Sequence, residues 1–376
     1  MVTEIELKYS LLEDHKLDTS EQIQATISQL LSKHNIEFVH HEKQLSNYYF
    51  DTADFFLRKS RIALRTRGTK IIGESECFEQ TIKTSGTVIA GLHQRPEYNV
   101  DINNDKPILD LFPSSIWKPN TDIQQLQNKI IELFSTHFTR HTWLVNIEKT
   151  QVEIAFDCGE IACIRHTNKP RIYEVELELV SGDTQALFIL TRLLFSQLAL
   201  RPGQLTKAAR GYALYRESSQ CQAKGTEPGK SSSQLFADNN TSSPKINASN
   251  CIEELNGDFP KCIETLLNNL QTSVDAYVEE KELNAKVSKI STVYRYLESL
   301  EQVFAYFEEL STLEEIALHK DLICFIQVLT ASIKSVQSDL GIGAKIITLL
   351  HSEDFNNLQL RLLGILLKRN NDDEKK

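Results

Sequence analysis

The chain has 376 residues, of which 41% are hydrophobic and 24% are charged, and its formal net charge is −10. This length allows a sizeable buried core and predicts two domains, while the acidic balance argues against a protein that coats nucleic acid or binds an anionic membrane. Charges begin at Glu4, no uninterrupted apolar run reaches membrane-spanning length, and the seven cysteines lack metal-ligand spacing. We therefore expect a cytoplasmic protein without a signal peptide.

Strand-like patterns dominate residues 1–216, which we interpret as the first domain. The predicted strands are, in order, Thr3–Ser10, Ser46–Asp51, Ile62–Arg67, Glu74–Thr84, Gln94–Val100, Thr139–Ile147, Val152–Asp157, Glu160–Arg165 and Arg171–Val180. Apolar residues at helical spacing predict the helices Ser20–His34, Asp122–His137 and Thr184–Leu198. Because helices rarely separate the strands, the pattern favours an α+β fold with an antiparallel sheet or barrel.

The remainder of the chain changes character twice. Residues 217–256 are mostly polar, with many Ser, Thr, Asn and Gly, and we interpret them as a flexible linker. Residues 257–370 show apolar side chains at helical spacing and precede a charged tail, which predicts an α-helical bundle. Because the charged motifs of the strands all precede the linker, a fragment ending near Ser218 is expected to fold and keep its activity.

The predicted strands separate charged from apolar side chains with a period of two residues, so each strand has one polar face. The first strand places Glu4, Glu6 and Lys8 on one face, with Ile5 and Leu7 on the other. The polar faces and the segment after them carry these charged residues: Glu4, Glu6, Lys8, Arg65, Arg67, Lys83, Arg95, Glu97, Glu153, Asp157, Glu174, Glu176, Glu178 and Lys207. Carboxylates clustered in this way repel one another unless a cation lies among them.

Two arrangements explain these polar faces. In an open sheet each polar face contacts solvent, which is the commoner arrangement. In a closed barrel the polar faces line a lumen, and helices pack against the apolar outside. Carboxylates in such a lumen would hold a divalent cation, and arginines and lysines would hold phosphate oxygens. The strand pattern alone leaves both arrangements open.

Several motifs, in order along the chain, resemble a known family. They are Glu4-x-Glu6-x-Lys8, Leu64-Arg65-Thr66-Arg67, Thr81-Ile82-Lys83, Asp157 ahead of Gly159-Glu160, and Glu176-Leu177-Glu178. Together they resemble the CYTH domain of the triphosphate tunnel metalloenzymes. Segments 91–100, 177–183 and 207–212 are similar to one subgroup, the bacterial inorganic triphosphatases in which a CYTH domain precedes a CHAD domain. The resemblance covers about residues 1–215.

This resemblance implies an eight-stranded antiparallel β-tunnel that hydrolyses a triphosphate with Mg²⁺ or Mn²⁺. The residues that match the family's metal ligands are Glu4, Glu6, Asp157, Glu176 and Glu178. The residues that match its phosphate-binding set are Lys8, Arg65, Arg67, Lys83, Arg95 and Lys207. Arg140 is a further candidate for substrate binding, because its strand is expected to face the lumen. The implied catalytic residues are Glu4, Glu6, Lys8 and Asp157. His93, in contrast, is expected to make a local hydrogen bond rather than to bind metal.

The implied activity is hydrolysis of tripolyphosphate to pyrophosphate and phosphate. Alternatives are a thiamine triphosphatase, an adenylyl cyclase, another hydrolase of nucleotide or organic triphosphates, and a non-catalytic polyphosphate-binding module. The helical half departs from the CHAD pattern, because Arg295 is nearly isolated among glutamates where basic residues are expected. We therefore predict a degenerate CHAD-like bundle that binds polyphosphate weakly, with docking or homodimerisation as its alternative role.

Overall fold

A computed structural model of the chain describes residues 2–12, 19–89, 92–164, 166–203, 205–224, 247–280, 282–308, 311–335 and 342–373. The strands are β1 (Val2–Leu11), β2 (Phe38–Thr52), β3 (Ala63–Lys70), β4 (Cys77–Lys83), β5 (Thr87–Ile89), β6 (Leu92–Ile102), β7 (Ile130–Ile147), β8 (Thr150–Ala162), β9 (Arg171–Ser181) and β10 (Leu200–Pro202). The α-helices are α1 (Ser20–Lys33), α2 (Phe56–Lys59), α3 (Ile123–Gln127), α4 (Gln185–Phe195), α5 (Lys207–Lys224), α6 (Ala248–Glu254), α7 (Phe259–Glu279), α8 (Leu283–Tyr306), α9 (Leu313–Ser335), α10 (Ile342–Leu350) and α11 (Glu353–Asp373). Two short 3₁₀ turns span Leu109–Leu111 and Ser114–Ile116.

Eight of these strands close into an antiparallel barrel. Hydrogen bonding follows the order β1-β9-β8-β7-β2-β3-β4-β6, and β6 pairs with β1 to close the ring. The short strands β10 and β5 add to β1 and β6. The predicted α+β fold, an eight-stranded antiparallel tunnel followed by a helical bundle, is confirmed.

The period-two pattern decides which side chains enter the barrel. In β1, Leu7 and Tyr9 are buried in the hydrophobic core outside the barrel, where helices cover them. Glu6 and Lys8 alternate with them and line the interior. Because the barrel is closed, its polar faces form a lumen, and the open-sheet arrangement is excluded.

One predicted helix, Asp122–His137, is mostly wrong. Only α3 is helical there, and the later residues belong to β7, which pairs with β2 from end to end. Leu133 and Phe134 are consecutive in β7, and both are buried in one hydrophobic cluster, at the point where the pairing of β7 with β2 shifts its register. Their spacing from neighbouring apolar residues imitated a helix, and pairing with the long partner strand outweighed that local pattern.

The predicted strand Val152–Asp157 and the first residues of the predicted strand Glu160–Arg165 form one strand, β8, which ends at Ala162. Residue 165 lies outside the described part of the chain. Gly159 lies between the two predicted strands and opposite Phe138 of β7. A Cβ atom at this glycine would lie 2.1 Å from the backbone oxygen of His137. The glycine therefore marks a close approach of two strands and not a turn.

Helices shorten the predicted linker, residues 217–256, at both ends. At the start of the predicted linker, residues 217–224 belong to α5, and near its end, residues 248–254 form α6. Residues 225–246 lie outside the described part of the chain, so the linker and the domain ranges 1–216 and 257–370 stay predictions. The sequence analysis also missed α2, β5, β10 and the first half of β2, three of which are too short to show a periodic pattern.

The helical half packs against the outside of the barrel. One continuous hydrophobic core joins Phe188 of α4 to Leu266 of α7. The Asn356 side chain of α11 donates a hydrogen bond to the Leu200 carbonyl of β10. A fragment ending near Ser218 would expose this shared core to water, so the structure argues against the expectation that it folds alone.

One described helix, Leu313–Lys334 within α9, is long and apolar enough to cross a membrane by length and composition. The sequence analysis did not anticipate it. Leu318, Leu322 and Leu329 of this helix are fully buried in the hydrophobic core. In the most apolar 18-residue stretch of the helix, 28% is buried. A single helix of this kind is weak evidence for a membrane span.

Candidate active site

The barrel encloses a polar cavity of about 570 Å³, which we call the lumen. Eleven of the twelve predicted site residues line it: Glu4, Glu6, Lys8, Arg65, Arg67, Lys83, Arg95, Arg140, Glu176, Glu178 and Lys207. The twelfth, Asp157, is fully buried and accepts hydrogen bonds from Arg140. Closure of the barrel thus brings together residues that are up to about two hundred positions apart in sequence.

The deep ion-pair network consists of Lys8, Arg140, Asp157, Glu174, Glu176 and Lys207. Lys8 Nζ contacts Glu176 and lies 3.4 Å from Glu174 Oε1. Lys207 Nζ contacts Glu174 and lies 2.6 Å from Asp157 Oδ2 and 3.0 Å from Glu176 Oε1. Burial alone would lower the pKa of Lys8, but Glu174 and Glu176 outweigh it and raise that pKa well above its usual value. Lys8 is therefore a permanent cation.

Arg140 completes the deep ion-pair network from β7. Its Nε donates to Asp157 Oδ1 at 2.7 Å, and its Nη2 donates to Glu176 Oε2 at 2.6 Å. Burial would raise the pKa of both carboxyls, but Arg140 and Lys207 hold the pKa of Asp157 below its usual value. Lys207, Lys8 and Arg140 hold the pKa of Glu176 well below its usual value. Three cations thus balance three carboxylates.

A second group of carboxylates, the acid cluster, consists of Glu4, Glu6 and Glu178. Glu6 of β1 lies opposite Glu178 of β9 in the sheet. Burial and the charges of Glu4 and Glu6 raise the pKa of Glu178 to about 7. Burial also raises the pKa of Glu6, against the opposing influence of Lys8. Lys83 Nζ donates to both oxygens of Glu4 at 2.6 Å. Lys83 thus pairs with Glu4, whereas the raised pKa values of Glu6 and Glu178 show that nearby cations do not offset the burial and mutual repulsion of these two carboxyls.

The two groups of carboxylates differ in how they would hold a divalent cation. Oxygens of Asp157, Glu174 and Glu176 lie within 4.8 Å of one another, which is close enough to share an ion. Their charge is already balanced inside the deep ion-pair network, however, so a metal there would have to displace a lysine. In the acid cluster Lys83 pairs with Glu4, and Glu6 and Glu178 offer further hard oxygen ligands of the kind that Mg²⁺ and Mn²⁺ prefer. Both groups therefore contain possible ligands for a divalent cation.

The basic wall of the lumen, formed by Arg65, Arg67 and Lys83 on β3 and β4, lies across the barrel from β9. Arg65 Nη2 and Lys83 Nζ lie 3.6 Å and 3.2 Å from the Glu97 carboxylate. Burial, with the charges of Arg65 and Arg140, lowers the pKa of Arg67 to about 10. Cations crowded in this way are stabilised by an anion, and guanidinium groups match phosphate oxygens in geometry.

The lumen also contains acidic residues to which the sequence analysis assigns no role. Glu153 of β8 lies opposite Glu178 in the sheet and lines the lumen, as does Glu79 of β4. Glu174 belongs to the deep ion-pair network. The period-two pattern could have identified Glu153 as a lumen residue, because it lies on the same strand face as Asp157, four positions later.

The barrel and its lumen coincide with the extent of a known family. The family profile described as CYTH domain matches residues 3–212. The chain belongs to the CYTH family. The match runs from β1 into α5 and so includes every member of the acid cluster, the basic wall and the deep ion-pair network.

A curated relative of this CYTH protein is the inorganic triphosphatase of Haemophilus influenzae. The two sequences are 35% identical over 220 residues, which are 57% of this chain and 55% of the relative. The chain therefore spans about half the length of the curated relative that it matches.

Several solved structures are similar to parts of this CYTH protein. A Hippeastrum protein described as having a dominant triphosphatase activity is 17% identical, with a TM-score of 0.36 over 60% of this chain and 97% of its own. A protein from Pyrococcus horikoshii OT3 is 18% identical, with a TM-score of 0.31 over 50% of this chain and 89% of its own. The RNA triphosphatase domain of a mimivirus mRNA capping enzyme is 13% identical, with a TM-score of 0.29 over 51% and 88%. These likenesses are too distant to bear on activity.

Proposed function

We propose that this CYTH protein is a divalent-metal-dependent hydrolase that cleaves inorganic triphosphate to pyrophosphate and phosphate. The observation that carries the proposal is the division of one lumen into an acid cluster and a basic wall. A pure anion-binding site would gain nothing from clustered carboxylates with raised pKa values. The inorganic triphosphatase of H. influenzae, which is 35% identical, supports the same activity.

The acid cluster is the proposed metal site, with Glu4, Glu6 and Glu178 as ligands. A Mg²⁺ or Mn²⁺ ion bound there would supply positive charge to the phosphoryl oxygens during transfer. Glu176 and Asp157 remain candidate ligands of a second ion, which would require a cation of the deep ion-pair network to move. Lys8 remains a candidate catalytic residue, because it is a buried cation that contacts this network beside Glu6.

The basic wall, together with Arg95, Arg140 and Lys207, is the proposed site for the triphosphate. Phosphoryl transfer depends mainly on positioning of the substrate and neutralisation of its charge, and it needs no nucleophilic side chain. The charged side chains of the lumen can provide both positioning and neutralisation. The cavity volume of about 570 Å³ falls within the roughly 300–1,000 Å³ usual for small-molecule sites. A compact inorganic anion suits the many charged side chains of this lumen.

Phosphate release by the purified full-length chain tests this proposal. Tripolyphosphate, ATP and thiamine triphosphate are compared with Mg²⁺, with Mn²⁺ and with excess chelator. We expect release to be fastest from tripolyphosphate and to stop with chelator. Lys83→Met should reduce release at least tenfold by removing a charge-assisted contact. Lys169→Met is the matched control, because Lys169 is exposed and pairs with Glu160 outside the lumen.

Other outcomes would select the alternatives. Faster release from ATP or thiamine triphosphate would assign the lumen to an organic triphosphate. Tight binding of tripolyphosphate without release under any metal would indicate a non-catalytic polyphosphate-binding module.

The roles of the helical half stay predictions. Several of its basic residues are paired with acids, since Lys289, Lys368 and Arg369 contact glutamates, and this supports weak polyphosphate binding. Homodimerisation through this half and a cytoplasmic location are likewise untested expectations.

A further inference from the structure

Arg95 differs from the other six cations of the predicted site. An ion pair with a carboxylate is formed by each of the other six, namely Lys8, Arg65, Arg67, Lys83, Arg140 and Lys207. Among the described residues, no carboxylate lies within ion-pair distance of the Arg95 guanidinium, although Glu4 is its neighbour across the sheet. Within this predicted site the positive charge of Arg95 is therefore the least compensated, and an anion beside it gains from that charge.

The Arg95 guanidinium is held by the side chain of His93. Arg95 Nη2 lies 2.9 Å from His93 Nδ1. A guanidinium can only donate hydrogen bonds, so Nδ1 is the acceptor and the imidazole carries its proton on Nε2. His93 is 1% exposed, and burial, with the charges of Lys8 and Arg95, lowers its pKa to about 3. The imidazole thus remains a neutral acceptor at neutral pH, and the predicted local hydrogen bond of His93 is confirmed.

The aliphatic stem of Arg95 is confined as well. A Cβ atom on Gly86 would lie 2.5 Å from Arg95 Cγ and 2.9 Å from Arg95 Cα. The backbone at Gly86 therefore packs directly against the stem, as only a glycine allows here. With its stem packed and its guanidinium held, Arg95 has lost much of its rotamer freedom before any ligand enters.

We propose that His93 is a positioning residue for substrate, whose Nδ1 holds the Arg95 guanidinium in the lumen, oriented toward phosphate oxygens. This inference rests on the proposed function, because it assumes that a triphosphate occupies the lumen. A preorganised guanidinium binds its anion more tightly, since less conformational entropy is lost on binding. His93 acts through Arg95 and does not itself touch the substrate.

The test compares two variants of His93 and a control by calorimetric titration of the metal-free protein with tripolyphosphate. His93→Met removes the acceptor but keeps the bulk, and affinity should fall about tenfold, as expected for loss of one oriented charged contact. His93→Gln offers a carbonyl acceptor and should recover part of that loss. His141→Met is the control, because His141 is a buried barrel histidine whose ring contacts Gln24 of α1, outside the lumen.

A double-mutant cycle separates positioning from a merely structural role. In an Arg95→Ala background, His93→Met should cause no further loss of affinity. An equal loss with and without Arg95, or wild-type affinity in His93→Met, would overturn the inference. If the wild-type chain neither binds tripolyphosphate in this titration nor releases phosphate from it with Mg²⁺ or Mn²⁺, the proposed function itself fails. Binding or release by the wild type without the expected effect of His93→Met overturns only the role of His93, and the two failures are thereby distinguished.

A spectroscopic measurement covers the case in which His93→Met does not fold. The imidazole nitrogen resonances of the wild-type protein should show an unprotonated, hydrogen-bonded Nδ1 and a protonated Nε2. In Arg95→Ala the Nδ1 resonance should move to the position of a free acceptor. A proton on Nδ1 in the wild type, or an unchanged Nδ1 resonance in Arg95→Ala, would refute the contact on which the inference depends.

Discussion

Replacement of Glu178 by glutamine should stabilise the metal-free protein at alkaline pH. Burial and the neighbouring carboxylates raise the pKa of Glu178 from 4.5 to about 7. A carboxyl whose pKa is raised by folding is stable in its protonated form, so stability is full below pH 4.5 and is lost as the pH rises through about 7. Glutamine has the same shape and no charge, and it avoids this loss.

The size of the effect follows from the same values. A difference of roughly 2.5 pH units corresponds to about 3 kcal/mol of unfolding free energy, at about 1.4 kcal/mol per unit. Partial access of solvent and relaxation of the site reduce this upper bound, and we expect about 1–2 kcal/mol at pH 8. For a protein of this size such a gain raises the melting temperature by several degrees, at about 2–4 °C per kcal/mol.

Urea unfolding of the wild type and Glu178→Gln, with chelator at pH 5 and pH 8, measures this gain. The control is Glu37→Gln, since Glu37 is an exposed carboxylate before β2, and it should change nothing at either pH. Added Mg²⁺ should stabilise the wild type more than Glu178→Gln, because the variant has lost a ligand. A Glu178→Gln protein that is no more stable than wild type at pH 8, or equally stabilised at both pH values, would refute the electrostatic reasoning.

Three further predictions concern the chemistry and the assembly of the barrel. Glu6→Gln should abolish phosphate release while leaving the melting temperature unchanged or slightly raised, because it relieves repulsion in the acid cluster; normal turnover at ordinary Mg²⁺ would contradict this. Arg65→Ala removes a charge-assisted contact of about 1.5–3 kcal/mol, so kcat/KM for tripolyphosphate should fall at least tenfold, and pyrophosphate binding measured by calorimetry should weaken less. A chain that ends at Lys224 should aggregate or melt early by circular dichroism, because it exposes the core shared by α4 and α7; a soluble, fully active fragment would show that the halves are independent.

The candidate site was largely predictable because it depends on strand periodicity. A side chain two or four positions along a strand returns to the same face, so Glu4, Glu6 and Lys8 must share an environment whatever the fold. The motifs that resemble the CYTH family then indicated which polar faces meet. Glu153 shows the limit of this reasoning, because its strand face was evident but its position opposite Glu178 depends on the pairing of β8 with β9.

Local pattern failed where the competing interaction was distant in sequence. The residues after α3 have helical spacing, yet they form β7, because pairing with β2 satisfies their backbone hydrogen bonds and buries both of their faces. The predicted division into two independent halves also overlooked contacts between residues distant in sequence. Composition suggested a flexible linker after residue 216, but apolar residues of α4, before the linker, and α7, after it, pack in one core.

The order of residues along each strand was enough to establish a charged face on that strand, since alternation is a property of the backbone. Closure of the barrel turned these faces into one interior. The balance of charge inside that interior was decided by tertiary structure. Asp157 and Glu176 are matched by lysine and arginine, whereas Glu6 and Glu178 face one another with raised pKa values. Electrostatic energies depend on distance and burial, and closure of the barrel sets both.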